Sequence, residues 1–469
     1  VLLPSRRLHL AALLALALAS ALGATAAWVH RPVDPDIVDV ISEKALDEAL
    51  RARPEIPLRG GTTSVVLWAA CTLRQDRLEP YGHGEPTSPY LEALAQAGVT
   101  FEHNFAQAPW TRPSMGSIVT GRWPRALALD NPDLGGSFSG VLDDAHLTLA
   151  ERLSEAGYAT AGSVANPNLK ALFGFRQGFD LYFEPTHRYR DKPHLAGAER
   201  IVDRALELVK SLPGDRPFFL FVNTIDTHKH RRYPRRYLSL FRGGRLEVTR
   251  YDAAVRHVDA QVARLHARLA RRDPNVLMIV AADHGEGLRT PRHHGPEHGN
   301  HVYRSTVETP LIFFHPALPR ARRVGGLSMN LDVVPTLLEL LGLPARGPLD
   351  GASLAPAIRG ETDTAPHPRV FSETFFRRAH KSTTLDAGHQ LIRTHPEAHA
   401  ELRPHREVLF AFDDPLALTP LVDLETEKGH IDALDAWEAT MDGLTTVPHA
   451  AEVDAGTRAM LERLGYVED

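Results

Sequence analysis

The chain has 469 residues, 43% of them hydrophobic and 24% charged, with 34 Gly and 35 Pro. This is enough apolar mass for a large core, and too little Gly plus Pro for a fibrous or low-complexity protein. A formal net charge of −5 argues against a nucleic acid as the main partner, because neutralising phosphates needs a basic surface.

At the amino end Arg6 and Arg7 precede an apolar run from Leu10 to Leu22 and then Ala24-Thr25-Ala26, the arrangement of an export signal with its cleavage site. Residues 1–26 are therefore read as a signal peptide and the bulk of the chain as exported, periplasmic or extracytoplasmic. The competing reading is an uncleaved membrane anchor, since Leu8 to Val29 approaches the roughly 20 residues that span a bilayer. Residues 27–61 form a Pro-containing, charged connector. Cys71 is the only cysteine, so no disulfide can form within this sequence.

From residue 62 apolar runs of strand length alternate with segments of helical period, the signature of an α/β fold with a parallel sheet and crossover helices. Buried strands are expected at Ser64 to Ala69, Tyr158 to Ala165, Pro217 to Val222, Val276 to Ala281 and Leu311 to Phe314. Val255, Val258, Val262, Leu265 and Leu269 step by three and four, predicting a helix from about Tyr251 to Arg271. A further helix is expected after Asp332, with Asp332 as N-cap, Pro335 in the first turn and Gly342 as the stop. Beyond Gly360 the texture becomes more polar. Short strands at Val370 to Ser372, Leu409 to Phe412 and Pro420 to Leu424, with a last helix from Ala455 to Leu464, suggest a smaller α+β subdomain. The division is thus 62–365 for the α/β domain and 366–469 for the subdomain.

Ligands of a parallel sheet collect at the carboxyl ends of its strands. Cys71, Thr72 and Arg74 follow the first strand, Asp226 and His228 the third, Asp283 and His284 the fourth. Three strands thus deliver possible metal ligands to one edge, and Glu297, His298 and His301 could fold back over it. Asp and His with a thiol suit zinc, or manganese if the thiol stays out. Thr111-Arg112-Pro113-Ser114 opens a helical segment ending at Thr120-Gly121. Thr111 is there either a plain N-cap, or a hydroxyl beside an anion held at the helix N-terminus, where a metal would make it a nucleophile.

These motifs, in this order, resemble the sulfatase family of the alkaline phosphatase superfamily over nearly everything from Thr63 onward. SVVLWAACTLRQDRLEPYG, from Ser64 to Gly82, is similar to the family's opening strand with its Asp-Thr-Leu-Arg segment. TRPSMGSIVTG, from Thr111 to Gly121, is similar to its nucleophile motif, (Cys or Ser)-x-Pro-Ser-Arg. Asp226-Thr227-His228 resembles Asp-Pro-His, Ala282 to Gly287 resembles Ala-Asp-His-Gly-Glu-Gly, and His298-Gly299 with Val302-Tyr303 resembles His-Gly-x-x-Leu-Tyr. Asp332 to Gly351 and Leu464-Gly465-Tyr466-Val467 match later landmarks.

The resemblance implies an alkaline-phosphatase/sulfatase-like fold and a metal-dependent hydrolase of sulfate or phosphate esters acting through a covalent intermediate on Thr111. Sulfatases oxidise Cys or Ser at this position to formylglycine, which threonine cannot yield, and Met115 replaces the motif's Arg. Phosphomonoesters, phosphodiesters or phosphonates are therefore expected ahead of formylglycine-type sulfate cleavage. Cys71 stands where the family has its first metal-binding Asp, which favours zinc or manganese over calcium. Either Cys71, Asp283 and His284 hold one ion, with Asp226, His228 and His298 at a second position, or metal affinity is lost. His228 and His298 are expected to bind the anion or to help the leaving group depart.

The alternative is a catalytically degenerate relative that binds an anionic glycan or lipid headgroup, with Arg231, Arg232, Arg235 and Arg236 nearby. Transfer to an envelope lipid is a third reading, against which stands the lack of several membrane spans. The expected partner in the first reading is a small-molecule, glycan or lipid-headgroup ester, with a membrane involved only through the anchor.

Overall fold

A computed structural model describes residues 57–129, 140–184, 197–228, 233–241, 244–288, 298–396, 406–414, 417–444 and 448–467. Residues 1–26, read above as an export signal, most of the connector, Glu297, Arg231 and Arg232 lie outside the described residues. Among the described residues no helix is long and apolar enough to cross a membrane.

The strands of the first sheet are β1 (Ser64–Ala70), β2 (Val99–Phe105), β3 (Ala159–Val164), β4 (Leu181–Phe183) and β5 (Phe218–Thr224). It continues with β6 (Val276–Ala282), β7 (Glu308–Thr309), β8 (Leu311–Phe314) and β9 (Arg322–Met329). Their order is β4-β3-β5-β1-β6-β8-β2-β7, with β9 beside β2. β4, β3, β5, β1 and β6 run parallel to one another, and β8 reverses direction against β6 and β2. Every residue of β1, β5 and β6 is buried, as expected of central strands covered on both faces. The fold is α/β, a mostly parallel sheet flanked by helices.

Six helices matter here: α1 (Thr111–Thr120), α2 (Ala198–Ser211), α3 (Leu246–Ala270), α4 (Val333–Leu340), α5 (Leu424–Asp442) and α6 (Ala455–Leu464). All ten residues of α1 are buried, so it is a core helix whose N-terminus points into the molecule. Gly121 ends it at φ 73°, where a Cβ would meet Leu349 and Val334 at 2.9 and 3.1 Å. α3 begins at Leu246 rather than Tyr251; its first turn is at most half-buried and adds nothing to the apolar stripe that marks the rest of the helix. Asp332 precedes α4 but does not cap it with its side chain. Its carboxylate instead accepts from Met329 N, Ala352 N and His367.

A second, antiparallel sheet runs in chain order through β10 (Val370–Thr374), β11 (Lys381–Leu385), β12 (His389–Thr394), β13 (Arg406–Ala411) and β14 (Pro420–Leu421). The strand expected at Pro420 to Leu424 is cut short by Asp423, whose carboxylate accepts from Glu425 N and Thr426 N and starts α5. The apolar side of α5, Leu434, Trp437 and Met441, packs on Leu391 and Leu409 of this sheet. A shared cluster containing Phe105, Val307 and Leu331 with Val370, Leu385 and Phe410 joins the two sheets. The small sheet is thereby fixed beside the carboxyl ends of β2 and β9.

Candidate active site

At the end of β1 the chain must turn sharply to present Cys71. Thr72 takes φ 59°, a left-handed conformation costly for a β-branched residue. Surrounding bonds hold it there: Tyr251 Oη donates to Thr72 O and accepts from Arg74 N, at 2.6 and 2.8 Å, and Thr227 Oγ1 donates to Cys71 O. Cys71 is wholly buried, and burial, with Asp283 beside it, pushes the thiol well above its ordinary range.

Asp283 follows β6, and its Oδ1 accepts from Thr72 N at 3.0 Å and His284 N at 2.8 Å. Oδ2 is buried with no hydrogen-bond partner among the described residues. The His284 ring is oriented by its Nδ1, which donates to Gly285 O at 2.9 Å, so the Nε2 lone pair faces the site. Gly285 is required there because a Cβ would stand 2.0 Å from Ser305 O. Burial pushes the imidazole down to about 4, which keeps it neutral and available as a ligand or acceptor.

Thr111 is the first residue of α1, and Trp110 holds the N-cap position, so the Thr111 hydroxyl is not spent on capping. Four groups meet its Oγ1: Tyr466 Oη at 2.7 Å, Asn166 Nδ2 at 3.1 Å, His284 Nε2 at 3.3 Å and Cys71 Sγ at 3.4 Å. Asn166 cannot flip, because its Oδ1 accepts from Asn168 N and Nδ2 at 3.0 and 3.2 Å. Asn168 is held in turn by Arg112, which donates to its Oδ1 at 2.8 Å and lies 3.7 Å above the Phe173 ring. Burial pushes the Arg112 guanidinium down to about 9.

The remaining histidines form a row. The His298 ring lies 4.4 Å from that of His284 and 4.8 Å from that of His228, and its Nδ1 is 3.4 Å from the Glu286 carboxylate. The structure thus brings together Cys71, Thr111, His228, Asp283, His284 and His298. It does not bring Asp226 into the group: Asp226 Oδ1 accepts from Ala198 N at the start of α2 and lies 3.8 Å from His257 Nε2. Met115 is buried in the core.

Asn166 and Tyr466 are the two functional candidates to which sequence reasoning assigns no role. Asn166 stands directly after a predicted strand, the position that singled out Cys71, Asp226 and Asp283. Tyr466 is marked in the sequence only as part of the Leu464-Gly465-Tyr466-Val467 landmark. It arrives because Asp454 and Gly465 bound α6, and because Lys170 Nζ donates to Thr457 Oγ1 at 2.8 Å.

Donor atoms of Cys71, Asp283 and His284 all lie within 4.8 Å of one another. Sulfur, oxygen and nitrogen donors around an unsatisfied buried carboxylate oxygen fit a borderline-soft divalent cation better than calcium.

A buried threonine at a helix start, set against an Asp-His pair at the carboxyl edge of a parallel sheet, is an arrangement that fits an ester hydrolase of the alkaline phosphatase superfamily. Residues 65–343 match the model of the sulfatase family, and the chain belongs to that family. Human arylsulfatase A is 26% identical over 364 residues, covering 66% of this chain and 70% of that protein, and other sulfatases are spanned over smaller shares of their length. Among solved structures, BT4656 in complex with its substrate D-glucosamine-2-N,6-O-disulfate is similar at TM-score 0.65 and 16% identity, over 81% of this chain and 98% of that one. The phosphonate monoester hydrolase of Agrobacterium radiobacter gives TM-score 0.65 at 18% identity, over 83% and 100%. At such identities these two show likeness of fold.

Proposed function

We propose that this protein hydrolyses sulfate or phosphate esters with the Thr111 hydroxyl as nucleophile, and that phosphomonoesters, phosphodiesters or phosphonates are its better substrates. The observation carrying this reading is the Thr111 Oγ1 held 3.3 Å from the His284 Nε2 lone pair and 3.1 Å from a fixed Asn166 amide. Thr111 Oγ, its proton given up to solvent, attacks phosphorus, the bond to the leaving oxygen breaks, and that oxygen takes a proton from protonated His298 or His228. Water then attacks the threonine ester in line while giving a proton to the same histidine, and Thr111 Oγ leaves and takes a proton back from solvent. Threonine has no aldehyde hydrate to collapse, so release depends on this second displacement.

Asn166 Nδ2, and Tyr466 Oη once it swings off Thr111, donate to the oxygens on which charge develops. Cys71, Asp283 and His284 would hold a divalent cation, zinc or manganese ahead of calcium, which when bound polarises the ester and favours the ionised hydroxyl. The solved relatives act on a disulfated glucosamine and on phosphonate monoesters, which supports small anionic esters, glycan esters included, as the substrate class.

The test is turnover of aryl phosphate, phosphodiester, phosphonate and sulfate with zinc, manganese or calcium. Activity should fall at least about 10³-fold in Thr111→Ala and partly survive in Thr111→Ser. A wild type no faster than Thr111→Ala with every metal and ester would overturn the reading, and would favour the anion-binding alternative.

A further inference from the structure

The loop after β10 and the first residue of β11, Phe375 to Lys381, carry Arg377, Arg378, His380 and Lys381 and no acidic residue. It forms part of the wall around the nucleophile. The Phe376 ring lies 5.4 Å from Trp110, the residue before Thr111, and 6.3 Å from Tyr466. Arg377 donates to Gly465 O, beside Tyr466. Thr374 Oγ1 donates to Gly299 O at 2.7 Å, fastening the small sheet to the loop that bears His298.

Lys381 opens β11 between Thr374 and Thr394, and its ammonium reaches that same loop, 3.0 Å from His301 Nδ1. The ammonium donates one of its three N–H groups to His301. Among the described residues no carboxylate pairs with Lys381, although the side chain is partly buried. Removal from water pushes Lys381 down to about 8, with no acid to oppose the effect. A cation stripped of hydration and left without a counter-charge is costly unless an anion from outside supplies one.

We propose that Lys381, oriented by His301, is a subsite for a second anionic group on the substrate, so that the preferred esters carry a sulfate, phosphate or carboxylate besides the one that reacts. This deepens the hydrolase reading and rests on it for turnover. Lys381 is a specificity residue, reached by the substituent and not by the scissile bond. The basic loop around it attracts such polyanions over a longer range.

Two esters with the same scissile group test the proposal, one on a plain aryl alcohol and one on a sugar bearing a second sulfate or a carboxylate. Lys381→Met should cut the preference for the doubly charged ester about tenfold, through KM rather than kcat, and Lys381→Arg should restore part of it. Comparing sulfate-bearing and carboxylate-bearing sugars shows which anion the subsite takes. An unchanged preference, or an equal loss of kcat on both esters, would overturn the proposal. Binding of glucosamine-2-N,6-O-disulfate to Thr111→Ala protein, followed by calorimetry, reads the subsite without turnover. About tenfold weaker binding on adding Lys381→Met supports the subsite whatever becomes of the hydrolase reading, and equal affinity, or no binding to either protein, overturns it.

Discussion

Among the described residues two sets of three side chains are spaced to hold a cation, Cys71-Asp283-His284 and Asp386-His389-His430, and their surroundings differ. At the second set every oxygen is engaged. Asp386 Oδ1 accepts from Gly388 N and His389 N, both at 2.9 Å. Its Oδ2 meets Arg369 and His430 Nε2, both at 3.0 Å. The guanidinium already supplies the positive charge, so this cluster ties α5 to the β11–β12 turn. At the first set no Lys or Arg among the described residues pairs with Asp283; its Oδ2 makes no hydrogen bond and has beside it only the neutral His284 Nε2, at 3.4 Å, with the Cys71 thiol in the same space. Nearness of donor atoms is common to both; an uncompensated carboxylate belongs to the first alone.

The sharpest way to break this contrast is to neutralise each carboxylate in turn. Asp283→Asn should lower kcat/KM on the order of 10³-fold and abolish tight zinc retention, as read by initial rates and elemental analysis. Asp386→Asn should leave both within about twofold. Equal losses would mean that the second set also serves the chemistry. Next in size are the donors around Thr111. Asn166→Ala should cost about 10²-fold in kcat, and Tyr466→Phe about tenfold, with smaller changes in KM. If Tyr466→Phe raises kcat instead, the tyrosine acts as a plug on the nucleophile and not as a donor.

Much of the first site is legible in the sequence because its residues follow buried strands whose apolar runs are unmistakable: Cys71 after β1, Asp283 and His284 after β6. The second set is illegible, since Asp386 and His389 flank a tight turn between strands too short and polar to show, and His430 lies on a helix not predicted from the sequence, whose first residue falls in the strand expected at Pro420 to Leu424. The apolar alternation around Pro420 to Leu424 mimics a strand. The residues that betray α5 are spaced His430, Leu434, Trp437 and Met441, a narrow stripe that emerges only after Asp423 has capped the helix. Tyr466 lies 355 residues from Thr111, and only tertiary docking brings it there. β2 and β9 go unseen for a similar reason: β2 mixes half-buried Glu102 and His103 into its run and depends on pairing with β9.

Acid should separate the two sets more gently. Burial pushes His284 down to about 4, from about 6.5 in the unfolded chain. The fold favours its neutral form, so its contribution to stability is complete above about pH 6.5 and is lost as pH falls toward 4. Burial also lowers His430, but less strongly, with Asp386 opposing the shift there as Asp283 does at His284. In zinc-free protein, urea midpoints followed from about pH 7 to about pH 4 should decline, and His284→Gln should flatten that decline more than His430→Gln. Equal flattening would mean that Asp386 fails to support a charged His430.

The smallest expected effect bears on what keeps a cation out of the second set. Arg369 and Asp386 have side chains about a quarter exposed, so Arg369→Leu should cost only about 1 kcal/mol, measured as a shift in urea midpoint at constant slope. The same change frees Asp386 Oδ2 and removes the competing charge, leaving one carboxylate and two imidazoles, a donor set suited to zinc. A zinc titration of Arg369→Leu should therefore show a second, weaker equivalent that the wild type lacks. If none appears, the splayed placement of the His389 and His430 rings, 6.1 Å apart and nearly perpendicular, excludes the ion rather than the guanidinium, and charge compensation is not what distinguishes the two sets.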